Sequence, residues 1–135
     1  MNVRKVLGMV VACGLLVTAP AVSAEAAPKP KVLKVTPKLK GKLAKLFHAK
    51  VRGYGGKYKK LRNTDVHYGR IGDRYWALSC LYYADSPVGA TDCGTTFTRK
   101  GSRGVWKIKS LDGGFFCPAV PMPLYRAWKL KGTPC

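Results

Sequence analysis

The sequence predicts an α+β fold: an N-terminal amphipathic helix, a four-stranded antiparallel meander, a short C-terminal helix and two disulfides. Three observations carry this. Apolar residues recur at helical spacing between residues 37 and 54. Beyond residue 63, runs of alternating aromatic and β-branched residues are separated by Gly, Asp and Ser turns. Four cysteines fall in that second part.

The helix starts at Thr36-Pro37, with Thr36 as N-cap and Pro37 in the first helical position. Leu39, Leu43, Leu46, Phe47, Val51 and Tyr54 form one stripe, and Lys38, Lys40, Lys42, Lys45 and Lys50 mostly occupy the other side. Gly53 and Gly55-Gly56 end it. Such a helix either docks its stripe on the sheet or lies on an anionic surface. A hairpin about Gly72-Asp73 follows. In its second strand Trp76, Leu78 and Cys80 share one face, and Tyr75, Ala77, Ser79 and Leu81 the other. A third strand covers residues 95–99, and a fourth has Trp106 and Ile108 inward with Lys107 and Lys109 outward. Pro121 and Pro123 open a last helix running to about residue 130, with Gly132 as its stop. Trp76, Trp106 and Trp128 are the expected core aromatics.

Ahead of the domain, Arg4 and Lys5 precede an apolar run over residues 6–17, then Pro20 and Ala21-Val22-Ser23-Ala24. This is the pattern of a secretory signal cleaved after Ala24. Three segments follow: a signal peptide over 1–24, a basic extended arm over 25–36 and one domain over 37–135. Secretion is the expected localisation. A lipid anchor at Cys13 is the competing reading, because Val10-Val11-Ala12-Cys13 loosely matches a lipoprotein box. Cleavage would remove Cys13 and leave Cys80, Cys93, Cys117 and Cys135, an even set in an exported chain. Three pairings are allowed; Cys80–Cys93 with Cys117–Cys135 closes two short loops, each worth roughly 3 kcal/mol on the loop-entropy model. No Cys-x-x-Cys pair is present and only His48 and His67 are available, so no metal and no cofactor are expected.

The chain carries 25 Lys and Arg against 6 Asp and Glu over 135 residues, a formal charge of +19. Residues 28–62 hold 11 Lys and 2 Arg and no carboxylate. Packing alone does not require that, since a soluble helix normally intersperses Glu among its lysines. The expected anion-binding residues are Lys38, Lys40, Lys42, Lys45, Lys50, Lys57, Lys59, Lys60 and Arg62. Tyr58-Lys59-Lys60-Leu61-Arg62-Asn63 also fits the loose basic pattern associated with sulphated polysaccharides. Tyr54, Tyr58 and Tyr68 beside basic residues are candidate stacking platforms.

No catalytic constellation is present. Acidic pairs for glycoside hydrolysis are barely available, since the globular part contains no Glu and five Asp, of which Asp73, Asp85 and Asp112 fall in turns. No Gly-x-Ser-x-Gly turn supports Ser79 as a nucleophile with His48 or His67. Gly53-Tyr54-Gly55-Gly56 lacks the spacing of a phosphate loop.

Tyr68-Gly69-Arg70-Ile71-Gly72, Tyr75-Trp76-Ala77, the Phe-x-Arg at Phe97, Val105-Trp106 and Val120-Pro121 ahead of Leu124, Trp128, Leu130 and Cys135 resemble a loose group of small uncharacterised secreted proteins of high-GC Gram-positive (actinobacterial) bacteria. The resemblance spans residues 66–135 and implies a bacterial exported protein, without an activity.

Two function classes follow. One is binding of extracellular anionic polymers or surfaces — cell-wall polymer, nucleic acid, acidic polysaccharide or anionic lipid — through the Lys-rich first third. The alternative is a secreted interaction or inhibitor module using a loop such as residues 85–92. An enzyme comes third. A fragment beginning at Asn63 is expected to lose binding on the first reading and keep it on the second.

Overall fold

The computed structural model describes residues 26–55, 58–86, 94–111 and 119–131. Its order is β1 (Pro30–Val32), α1 (Pro37–Gly55), β2 (Leu61–Ile71), β3 (Arg74–Tyr83), β4 (Thr95–Lys100), β5 (Lys107–Ser110) and α2 (Met122–Ala127). The five strands form one antiparallel sheet in chain order, β1-β2-β3-β4-β5. The α+β class holds, and the meander β2–β5 is the expected one. The strand number does not hold: the sheet has five strands, not four.

The extra strand comes from the segment expected to be a solvated arm. Pro30, Lys31 and Val32 pair with Ile71, Arg70 and Gly69, and the Leu33 amide donates to the Tyr68 carbonyl at 2.8 Å. Proline lacks an N–H, so this short strand is compatible only with a sheet edge, which is where it lies.

α1 begins as its cap residue dictates. The Leu39 amide donates to Thr36 Oγ1 at 3.2 Å and the Lys40 amide to the Thr36 carbonyl at 3.0 Å. The helix does not lie free as a surface-seeking element. Leu43 is fully buried against Ala77, Leu81, Phe97 and Trp106, and Leu39, Ala44, Leu46 and Phe47 pack around them. A fragment beginning at Asn63 would therefore lose one wall of its core, so it cannot separate the two function classes.

The second helix covers the opposite face. Leu124, Trp128 and Val120 pack on Trp76, with Ile71, Leu78 and Leu130 at the margin. β3 is thus sandwiched between two cores, Trp76 and Leu78 toward α2, Ala77 and Leu81 toward α1. This is the expected alternation. α2 ends at Ala127, short of residue 130. Trp128 caps it, and Lys129 takes a left-handed φ of 56°. The Leu130 amide reaches the Tyr125 carbonyl and the Lys129 amide the Arg126 carbonyl, a Schellman closure made without glycine.

Two irregularities set which side chains face which helix. The β2–β3 turn has Gly72 at φ 57°, a value glycine adopts without strain. Within β2, Thr64 pairs with Cys80 and His67 with Leu78, so Asp65 and Val66 together oppose Ser79 in a bulge. Asp65 sits at φ 48°. The extra residue shifts the alternation by one. Leu61 before it and Val66 and Tyr68 after it all face α1, while His67 faces α2.

Cys80 is buried and disulfide-bonded. The pairing expected from the sequence lies outside the described residues, as do Cys93, Cys117 and Cys135.

Leu43→Ala is expected to destabilise the fold by about 2–5 kcal/mol, measured by denaturant unfolding. Gly69 is the tightest point on the α2 side. A Cβ there would stand 2.6 Å from Leu124 Cδ2 and 2.8 Å from the Lys31 carbonyl oxygen. Gly69→Ala is therefore expected to cost about 1–3 kcal/mol. Amides of β1 should exchange faster in that variant, because Lys31 must move.

Candidate functional site

The residues with the most distinctive surroundings lie between the start of α1 and β4. Phe97 and Arg99 alternate on β4 and face α1. Phe97 is fully buried. Arg99, two residues on, reaches the edge of the core. Its guanidinium carbon lies 4.6 Å from the centre of the Tyr75 ring and 4.8 Å from that of Trp106. Its Nη2 donates to Tyr68 Oη at 2.9 Å. Tyr68 in turn stacks on Tyr75 with centroids 6.1 Å apart and lies 6.0 Å from Trp106. Two rings, from β3 and the approach to β5, therefore hold one cation by cation–π contacts of about 0.5–2 kcal/mol each, and Tyr68 of β2 holds it through its hydroxyl.

A pocket of about 300 Å³ opens here, lined by Lys34, Lys38, Lys42 and Arg99 with Tyr68 and Trp106. Lys38 and Lys42 are one helical turn apart and so project on the same side of α1. Lys34 comes from the link between β1 and α1. Two further pockets are also cationic. One, about 420 Å³, is lined by Arg74, Lys100, Lys107 and again Arg99. The other, about 410 Å³, is lined by Lys29, Lys31 and Arg70. Among the described residues no carboxylate lines any of the three.

Of the lysines expected to bind anions, Lys38 and Lys42 belong to the first pocket. Lys45 and Lys59 line a separate groove of about 290 Å³ with His48 between them. Lys40, Lys50, Lys60 and Arg62 are exposed, and Lys57 lies outside the described residues. The first pocket also contains two cations that sequence reasoning passed over, Lys34 and Arg99. A signal for Arg99 was present, since Phe97 and Arg99 share a strand face. What that face meets depended on strand register.

The other candidates have structural roles. The Asp85 carboxylate accepts the Lys59 amide at 2.9 Å and the Lys60 amide at 3.1 Å. The Lys59 amide foremost, with help from Lys60, holds Asp85 below the usual carboxylate range. Asp85 therefore caps backbone, as its place in a turn suggested, but the backbone of a distant segment. The rest of the loop over residues 87–92 lies outside the described residues. His48 Nδ1 meets Tyr83 Oη at 2.5 Å and ties α1 to β3. Burial first, and the Asp85 charge second, raise the Tyr83 phenol. Of the tyrosines read as stacking platforms, Tyr58 packs on Tyr83 and Tyr68 belongs to the Arg99 cage. Trp76, Trp106 and Trp128 are all core residues.

Among the described residues no group of three or more His, Cys, Asp or Glu is placed to hold a metal ion. No helix among them is long and apolar enough to cross a membrane. Comparison of the chain with protein-family models, curated proteins and solved structures finds no match.

His67, on the face opposite the α1–β4 pocket, gives the α2 side of the sheet a pH dependence. Its ring lies 5.6 Å from Trp128. Burial lowers its pKa below the ordinary histidine value, and the Asp65 charge partly opposes this. The folded state thus binds the proton less tightly than the unfolded chain. The resulting stability is fully present above about pH 6.5 and is lost as pH falls from there through the folded pKa. The thermal midpoint is expected to drop between about pH 7 and pH 5, and His67→Gln should flatten that drop.

Proposed function

We propose that the chain is an exported basic protein that binds extracellular anionic polymers, with the pocket between α1 and β4 as its principal contact. The observation that carries this is the convergence of Lys34, Lys38, Lys42 and Arg99 on one pocket that no carboxylate among the described residues lines. Two more pockets of the same character support a surface that meets several anionic groups at once. The docking of α1 favours a fixed array of charges over a helix that inserts into lipid. The signal-like start of the sequence supports export.

The physics is that of polyelectrolyte binding. A polyanion that exchanges its condensed counterions for lysines gains their release, and the gain falls with the logarithm of salt concentration. With about four charges engaged, affinity for a single-stranded nucleic acid or comparable polyanion should fall by about 2 decades between about 50 and 200 mM salt. The double variant Lys38→Gln/Lys42→Gln is expected to reduce the log–log slope by about 1.4–1.8. Lys109→Gln, at an exposed position outside the three pockets, should leave the slope near its original value. Fluorescence anisotropy with a labelled polyanion across a salt series measures both. A wild-type slope near zero would overturn the reading.

A further inference from the structure

We infer that the α1–β4 pocket is a receptor for phosphate-dense chains without aromatic rings, with Arg99 gripping a phosphate directly and Lys34, Lys38 and Lys42 surrounding it. This rests on the anionic-polymer reading above and narrows it to one ligand chemistry.

The first support is the state of Arg99. A guanidinium has five N–H donors in a rigid plane. Among the described residues only Nη2 makes a hydrogen bond, to Tyr68 Oη. Nε is buried and has no hydrogen-bond partner there. A buried donor without an acceptor costs about 1–3 kcal/mol. Meanwhile Tyr75 and Trp106 hold the plane of the group. The fork is therefore oriented before any ligand arrives, which removes much of the entropy cost of binding.

The aromatic rings point the same way. A protein that reads nucleic acid by stacking needs exposed ring faces. Here Trp106 is only 2% exposed, Tyr75 and Trp106 carry the guanidinium, and Tyr68 packs on both. These rings serve the arginine and are not free for bases.

Charge density distinguishes phosphate from carboxylate. An arginine fork matches either. A pocket of about 300 Å³ lined by four cations and no acid asks for more than one negative charge in a small volume. Adjacent phosphoryl groups supply that, with oxygens directed to several donors at once. A carboxylate polymer brings one charge per bulky repeat. Condensed phosphate meets this in full. A polyol-phosphate chain carries one charge per repeat, as a polycarboxylate does, and shares with condensed phosphate only the tetrahedral array of phosphoryl oxygens.

The test uses the full chain lacking residues 1–24, with tripolyphosphate, poly(glycerol phosphate), oligothymidylate and poly-glutamate at matched charge. Calorimetry at about 150 mM salt, where the screening length is about 8 Å, is expected to rank tripolyphosphate first and poly(glycerol phosphate), by its phosphoryl oxygens and lack of rings, above the other two. The ratio of tripolyphosphate to poly(glycerol phosphate) affinity then identifies the source. Arg99→Lys keeps the charge but loses the fork. It should weaken tripolyphosphate binding by about tenfold or more and poly-glutamate binding by less than about threefold. In the wild-type protein the Arg99 side-chain ¹H–¹⁵Nε resonance should shift on adding tripolyphosphate, a readout independent of any variant's folding. Lys38→Gln/Lys42→Gln, at two exposed positions, removes charge without touching the fork and should weaken all four ligands, so the phosphate-selective loss is read on Arg99→Lys. Equal losses across all four ligands in Arg99→Lys, an unshifted Nε resonance, or oligothymidylate binding as tightly as poly(glycerol phosphate) would each overturn this inference while leaving polyanion binding intact. No binding to any of the four at low salt would overturn the broader reading as well.

Discussion

The burial of Leu43 is the contact on which the rest of this structure depends. Left to itself, α1 would be a poor helix. It has no acidic residue in its first turn, and Gly41 stands inside it. Lys38 and Lys42 repel each other at one-turn spacing. Tertiary packing must supply what propensity does not. Full burial of Leu43 contributes about 1.5–3 kcal/mol, and Leu39, Leu46 and Phe47 extend the same interface. Once Leu43 points into the core, the angular position of every lysine on the helix is set. The clustering of Lys38 and Lys42 beside Arg99 is a consequence of apolar packing one residue away.

The sheet makes the complementary contribution through β3. With cores on both faces, its alternation cannot slip without exposing one set or the other. β2 has to serve both faces as well, and its bulge at Asp65 and Val66 makes that compatible with its sequence. Without the extra residue, either Leu61 or the pair Val66 and Tyr68 would turn away from α1. Tyr68 would then be lost to the Arg99 cage, and His67 would no longer meet Trp128. One inserted residue thus decides the partners of both the histidine and the cage.

How much of this was legible in the sequence varied with the range of the interactions. The start of α1 was legible because Thr36-Pro37 is a local signal, and the two faces of β3 because alternation is local too. The core tryptophans followed from hydropathy. β1 was missed because Pro-Lys-Pro-Lys reads as solvated. Its pairing depends on Gly69 being bare enough for Lys31 and Leu124 to approach from different sides. The end of α2 was misplaced because Lys129 takes a conformation usually left to glycine. For the site, composition pointed to the correct segment but weighted its lysines evenly. Of the described members of that set, Lys38 and Lys42 converge on the pocket. The convergence needs Arg99, more than fifty residues away in sequence, and Tyr68 presented by the bulge.

The placement of the acids completes the physical picture. Asp85 is engaged by the amides of Lys59 and Lys60. Asp65 occupies the bulge and Asp73 the β2–β3 turn. These three carboxylates are the ones among the described residues, and none lines a cationic pocket. Among the described residues, then, Asp85 is engaged by backbone amides, and the cations of the three pockets have no carboxylate beside them. Their mutual repulsion counts against a net stability of only about 5–15 kcal/mol. Solvent ions relieve part of it beyond about 8 Å at physiological salt. Within that distance, Lys34, Lys38, Lys42 and Arg99 share one small pocket with no carboxylate among the described residues, so a bound anion would neutralise them closely. A multivalent anion held there would stabilise the fold and satisfy the site by the same contacts, so ligand binding and folding stability are coupled at Arg99.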